Sequence, residues 1–428
     1  MSDMEEVLER QEREIREKTC RRAASKRAQR DLDQQLVMVV AMLDEENQNS
    51  RGSHEGRAPN VDRHRHFRGK NLMEDYFIPT SLYYDVHFRG RYRMPQHLFN
   101  KIMHDICNYD EYFVQKRNCV GVLGLLLEQK FIAVIRMLAY DAFADQVDEI
   151  ARMGKSTALE SLVRFFDAVE TLYTMDYLRR LTHRDLQRLL QKAKQRRFPG
   201  MIGSIDCMHW QWKNCPTVWQ GDYGNQKCQK SIILETVAGF DTWVWHSFFE
   251  VAGSQNDLNV LGQSPVFNDV LRGEALKITY EVNNTVYQTE YYLADGIYPR
   301  KDVERCFGIL QAQWAIIKGA TRMFDEEVLR SIMMSCIILH NMIVEDEYDY
   351  KVEEVYEPDP MSTALTRIYE KPIGPNGGPV EHEPLVRDGL FMNRMIDRYR
   401  EMQSSYIHER RQVDLMEHLW AVKGNDGE

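Results

Sequence analysis

The eight cysteines of this 428-residue chain, at 20, 107, 119, 207, 215, 228, 306 and 336, include no C-x-x-C pair. Such wide spacing in a long chain fits free thiols in a reducing compartment and speaks against a disulfide framework or a zinc ribbon. No run reaches the ~18 apolar residues that a membrane span requires. The best candidate, SIMMSCIILHNMIV at 331–344, is shorter and carries His340 and Asn341, which suit a buried helix. The first twenty residues are charged throughout and lack an apolar signal core, so secretion is not expected. No internal repeat is evident. Positive charge is not in excess either: 55 Lys and Arg against 65 Asp and Glu leave a net charge of −10. That excludes a uniformly basic coat but not a local basic face.

What is present is globular. Apolar residues make up 43% and charged residues 28%, close to ordinary averages, and the length exceeds what one hydrophobic core usually organises. Residues 1–63 read as a charged N-terminal helix and a basic linker; the linker, a flexible arm or a phosphate-binding or nuclear-import segment, runs on to Lys70. Residues 64–198 read as helical throughout. Within them, a helix at 146–153, a bend at Gly154, a cap at Ser156 and a second helix to Val169 follow the plan of a helix-turn-helix, although any helical pair joined by Gly gives the same pattern. Downstream, LRRLTHRDLQRLLQKAKQRRF at 178–198 carries eight cations and one acid, Asp185; neutralisation of phosphates explains that bias better than a solvated helix face. The side chains expected to face double-stranded DNA are Lys155, Ser156, Thr157, Arg164, Arg188 and Lys192.

At Pro199 the periodicity changes. GMIGSIDCMHWQW, SIILETVAGFD, TWVWHSFFEV and TVYQTEYYLAD read as four strands, with a helix between the third and fourth and two more at about 300–318 and 325–345. This is an α/β arrangement over 199–346. Residues 347–428 read as an acidic, Pro- and Gly-rich linker and a C-terminal helix able to dock on the core.

Four acids stand out. Asp206 lies in an apolar strand, where a salt bridge or a metal must offset its burial. Asp257 opens a helix and could be a simple cap, and Asp295 ends the fourth strand. Glu304 lies in a first helical turn, which favours any acid. Singly each has a structural explanation; together they suggest phosphodiester chemistry with hard divalent ions held by carboxylates.

These segments also carry a resemblance. GMIGSIDCMHWQWKNCPTVWQGDYGNQK, the 231–271 stretch with its GSQND, YYLADGIYP, and KDVERCFGILQAQWAIIKG with ILHNMIVEDE resemble the plant PIF/Harbinger transposase and Harbinger-derived nuclease family, over about 64–422. The resemblance implies an RNase H-like DDE endonuclease domain at 199–346, preceded by a helix-turn-helix region. It further implies Asp206, Asp295 and Glu304 as catalytic acids, Asp257 as a further metal ligand, and Mg²⁺ or Mn²⁺ as cofactor. A nuclear location and a Myb-like helper protein are implied too. The family carries a longer stretch between the last two acids, supplying a fifth strand. Here eight residues, 296–303, separate Asp295 from Glu304. Loss of that strand is expected to bare the sheet edge and to deprive the Glu304 helix of its register. The alternative reading is a domesticated, catalytically inactive DNA-binding or adaptor protein.

Overall fold

The computed structural model describes residues 63–294, except 118, 120, 225–228 and 273–277, then 302–347, except 322 and 324, and 405–425. Seven helices come first: α1 (Arg65–Tyr76), α2 (Asp85–Tyr92), α3 (Gln96–Tyr109), α4 (Leu127–Tyr140), α5 (Ala144–Ala151), α6 (Lys155–Tyr177) and α7 (His183–Gln195). Their apolar faces meet around an aromatic centre of Phe99, Phe113, Phe131 and Phe165, packed edge to face. Such edge-on pairs are the arrangement that ring quadrupoles favour.

The sheet follows: β1 (Met201–Gln211), β2 (Ser231–Ala238), β3 (Val244–Ala252) and, later in the chain, β6 (Tyr291–Leu293). Its order is β3-β2-β1-β6, antiparallel within β3-β2-β1 and parallel between β1 and β6. Between them come α8 (Asp257–Gln263), α9 (Asn268–Arg272) and a hairpin of β4 (Tyr280–Val282) and β5 (Thr285–Tyr287). Helices α10 (Asp302–Gln313), α11 (Ala315–Lys318), α12 (Glu326–Glu347) and α13 (Ser405–Asn425) complete the described chain. The protein is a mixed α/β structure, and one core cluster runs from Leu72 through Trp210 and Leu234 to Ile343, crossing the boundary expected at 198/199.

Three expectations need correction. The expected fourth strand is two short ones in different sheets. Asn283 and Asn284, both at positive φ (49° and 63°), close a tight turn that pairs β5 with β4, and only Tyr291–Leu293 joins the main sheet. An Asn-Asn pair tolerates this left-handed turn, and that turn chemistry was the missed signal. Secondly, α6 starts after Gly154 and has no side-chain cap, so Ser156 lies inside the first turn; the helix continues to Tyr177. The left-handed residue of the bend is Arg152 (φ 53°), not Gly154. Thirdly, the helix expected at 300–318 breaks at Trp314.

Gly200 shows why the chain enters β1 as it does. Its φ of 83° suits glycine, and a side chain there would collide with the Tyr280 ring. At the other end of β1, the indoles of Trp210 and Trp212 donate to the carbonyls of Gly319 and Met323 at 2.9 and 2.8 Å, tying the strand to the segment before α12. Helix α12 is long and apolar enough to cross a membrane, but its centre is buried against α6 and β3. His340 and Asn341, the polar residues in that apolar run, explain its seat. Asn341 bonds both the N–H and the C=O of Val244 and the C=O of Tyr177, all at 2.8–2.9 Å. Its amide thereby satisfies three buried backbone groups.

Candidate active site

The site is built on β1. Side chains of a strand alternate between faces. Ser204 Oγ accepts the N–H of Val303 (2.8 Å), and Met208 Sδ lies 3.1 Å from the amide nitrogen of Gln311. Both partners belong to α10, and the β1–β2 register is regular from Ser204 to Gln211. Asp206, midway between Ser204 and Met208, therefore projects from the face that α10 covers. It is half-buried, and its Oδ1 accepts the Cys207 N–H at 2.9 Å.

Helix α10 carries Glu304. The side chains of Asp302, Val303, Cys306, Phe307 and Leu310 are buried, while Glu304 is exposed. The start of the helix is held in three ways. Val303 caps onto Ser204; the buried Asp302 receives both terminal nitrogens of Arg196 (2.7 and 3.2 Å); and Arg305 donates to the Phe240 carbonyl. The Cys306 thiol donates to the Thr242 carbonyl at 3.4 Å. Residues 302, 305 and 306 thus face the β2–β3 turn. Glu304 lies to the other side of that stripe, one turn before Gly308 and two before Gln311. The register of α10 is accordingly set by β1, the end of α7 and the β2–β3 turn.

Asp295 lies outside the described residues. The parallel pairing of β6 with β1 puts Tyr292 beside Gly203 and Leu293 beside Ser204; Leu293 precedes Asp295 by two residues, as Ser204 precedes Asp206. The edge strand β6 is only three residues long, and Tyr291 packs in a small cluster with Val282, Tyr287 and Leu415 of α13. Shortness and cover both blunt an edge.

Asp257 reaches the neighbourhood of Asp206 from the other side of β1, next to the Cys207 thiol. It begins α8, capped by Asn256, whose side chain accepts the Asn259 N–H. That helix packs through Val260 on the opposite face of the sheet, with Ile233, Val251 and Cys207. Burial pushes the Cys207 thiol up, and the neighbouring carboxylates of Asp257, Glu235 and Asp206 add to it. Glu235, which the sequence reading passed over although it sits in the apolar SIILETVA, is buried there. It accepts from Ser264 Oγ at 2.5 Å, and His246 lies 3.5 Å away. An acid inside an apolar strand was the available signal. Among the described residues no group of three or more His, Cys, Asp or Glu side chains is placed to hold a metal ion. Asp206 and Glu304 are oxygen donors of the kind a hard divalent ion takes.

The expected DNA-facing residues divide. Lys155 and Ser156 are exposed at the start of α6, with Lys155 3.5 Å from Asp145. Thr157 is half-buried, and its carbonyl accepts from Ser161 and Tyr112. Arg164 bonds Asp110 and Glu160, both at 3.1 Å, over the Tyr112 ring. Arg188 pairs with Asp241 at 3.0 Å. Burial pushes that carboxyl up, and Arg188 offsets part of the rise. Lys192 is half-buried in the last turn of α7. Arg188 and Arg196 of the basic stretch thus serve internal ion pairs.

Residues 175–300 and 299–351 match the family model described as plant transposon protein, which spans β1 to β6, α10 and α12. Over that stretch, less than half of the chain, the sequence is similar to plant transposon proteins. Residues 69–107, covering α2 and parts of α1 and α3, match a domain of unknown function (DUF8418). No curated protein matches the chain, and no solved structure does.

Proposed function

We propose that this protein is a Harbinger-type, transposase-derived nuclease with an RNase H-like DDE domain, hydrolysing DNA phosphodiester bonds with Mg²⁺ or Mn²⁺. The observation that carries the reading is the placement of Asp206 on the face of β1 that α10, the Glu304 helix, covers, in a sheet that is antiparallel up to β1 and parallel beyond it. Asp206, Asp295 and Glu304 form the proposed acid set; Asp257, on the other face, is left out of it. Bound ions of this class activate a water and stabilise the leaving oxygen. The chain's own contribution is rigidity. Asp206 stands on a central strand, and the helix of Glu304 is fixed by Ser204 and Arg196 before any ligand arrives. Helices α5 and α6 would act as the helix-turn-helix on double-stranded DNA, with Lys155 and Ser156 foremost. A nuclear location and a Myb-like helper belong to the same reading.

The test is cleavage of duplex DNA by the full-length protein in Mn²⁺. Asp206→Asn and Glu304→Gln are each expected to cut at least about 100-fold more slowly, since even outer-shell changes at metal sites cost 10–100-fold. Asp257→Asn is expected to cut nearly as well as the parent. An Asp206→Asn protein that cuts like the parent would eliminate the assignment. The eight-residue connection from Asp295 to Glu304 favours a second reading, a catalytically inactive DNA-binding adaptor. Salt-dependent duplex binding without cleavage in any divalent ion would establish it.

A further inference from the structure

A cleft of about 760 Å³ opens between the start of α1 and the α5–α6 bend, far in sequence from the acids, lined by Arg63, Phe67, Arg68, Asn71, Glu149 and Arg152. Two of its arginines are oriented in advance. Arg63 Nε donates to both carboxylate oxygens of Asp148 (2.9 and 3.0 Å), and Arg68 Nε donates to the Ile150 carbonyl (2.7 Å). Arg152 is exposed and caps α5 in the left-handed region (φ 53°, ψ 43°), a position where glycine is the usual occupant. The Phe67 ring is 68% exposed beside these cations.

We propose that this cleft takes one nucleotide of an unpaired DNA strand, with the base stacked on Phe67 and the phosphate held by Arg152 and Arg63. Three features of the lining match three parts of a nucleotide. Guanidinium groups suit the phosphate. An open aromatic face suits any base, because every base has a π-face. Glu149 and Asn71 bring an acceptor and an amide of the kind that pair with base edges. A duplex keeps its bases stacked and cannot offer one to Phe67, whereas an unpaired strand can. The basic run continues N-terminally, with Arg57 preceding Arg63 in sequence. The inference extends the DNA reading above but needs neither the acids nor a metal, so its test is independent of cleavage.

The measurement is fluorescence anisotropy of a labelled single-stranded DNA 12-mer with the full-length protein in EDTA, across a salt series. The same sequence as a duplex and a polyglutamate peptide serve as competitors. Phe67→Ala is expected to weaken single-strand binding at least about tenfold while leaving duplex binding in place, and Phe67→Trp to restore it. Arg152→Gly is the sharper variant, because glycine relieves the left-handed backbone. Thermal stability should hold or rise, while binding weakens and the salt slope falls by about 0.7 for the lost phosphate contact. Single-strand affinity unchanged in Phe67→Ala or in Arg152→Gly overturns the proposal. So does displacement of the DNA by polyglutamate equally from the parent and from Phe67→Ala, which would mark the cleft as a surface for acidic proteins.

Discussion

Burial changes the chemistry of His340. Burial holds its pKa down to about 4, against an ordinary value of 6.5, and its Nε2 donates to the Thr242 carbonyl at 2.9 Å. Below pH 6.5 the unfolded chain takes up a proton that the folded protein refuses. The stability tied to His340 is therefore complete above pH 6.5 and is lost as pH falls towards 4, a total of roughly 3 kcal/mol. His340→Gln is expected to shrink the drop in melting temperature between pH 7 and pH 4.5; calorimetry at the two pH values measures it. Its neighbour Asn341 has a different role. Asn341→Leu would orphan buried backbone groups of Val244 and Tyr177, at a cost of about 1–3 kcal/mol for each group left unsatisfied. The sequence marked both residues as misplaced in an apolar run, but not the carbonyls they reach.

At the scale of the element, α10 decides whether Glu304 is presented at all. The helix is only a few turns long. One of its anchors is the Asp302 carboxylate, 9% exposed, against Arg196. Arg196→Ala leaves that carboxylate with Arg305, 3.6 Å away, in place of a bidentate partner. The expected result is a loss of about 1–3 kcal/mol, because a buried charge loses its best partner. Amide exchange should quicken across 302–313 first, with β1 and β2 unaffected, and hydrogen exchange read by mass spectrometry would show whether it does. The basic character of α7 was plain in the sequence. That Arg196 and Arg188 are directed inward, to acids 106 and 53 positions away, was not, since a run of like charges reads as a solvated or phosphate-facing surface.

On the scale of the whole molecule, α13 returns the end of the chain to the sheet. Arg411 donates to Thr289 Oγ1 at 2.6 Å and lies over the Tyr287 and Tyr291 rings; Tyr287 donates to Asp414 at 2.5 Å; and Leu415 is buried among them. The helix thereby packs where the parallel strand β6 ends the sheet. Leu415→Ala is expected to destabilise the hairpin by about 2–4 kcal/mol, within the range for large-to-small core changes. Limited proteolysis should then cut first near β4 and β5. Cleavage confined to other segments would show that α13 does not secure this edge.

The sequence by itself determined the element types. Strand periodicity at β1 to β3, the buried seat of α12 and the helix bearing Glu304 were all legible, because alternation and helical spacing are local properties of the chain. So was the similarity to plant transposon proteins over 175–351, carried by short motifs such as SIDCMHW and DVERCFG. Only the tertiary structure decided which side chains meet. It set Asp206 under α10 and packed the helix that Asp257 begins on the opposite face, turned Arg188 and Arg196 inward, and split the fourth strand at Gln288–Glu290. Those outcomes depend on contacts between residues tens to a hundred positions apart. No local pattern of charge or hydrophobicity records such partners, since the same pattern serves a solvent-facing carboxylate and a paired one equally well.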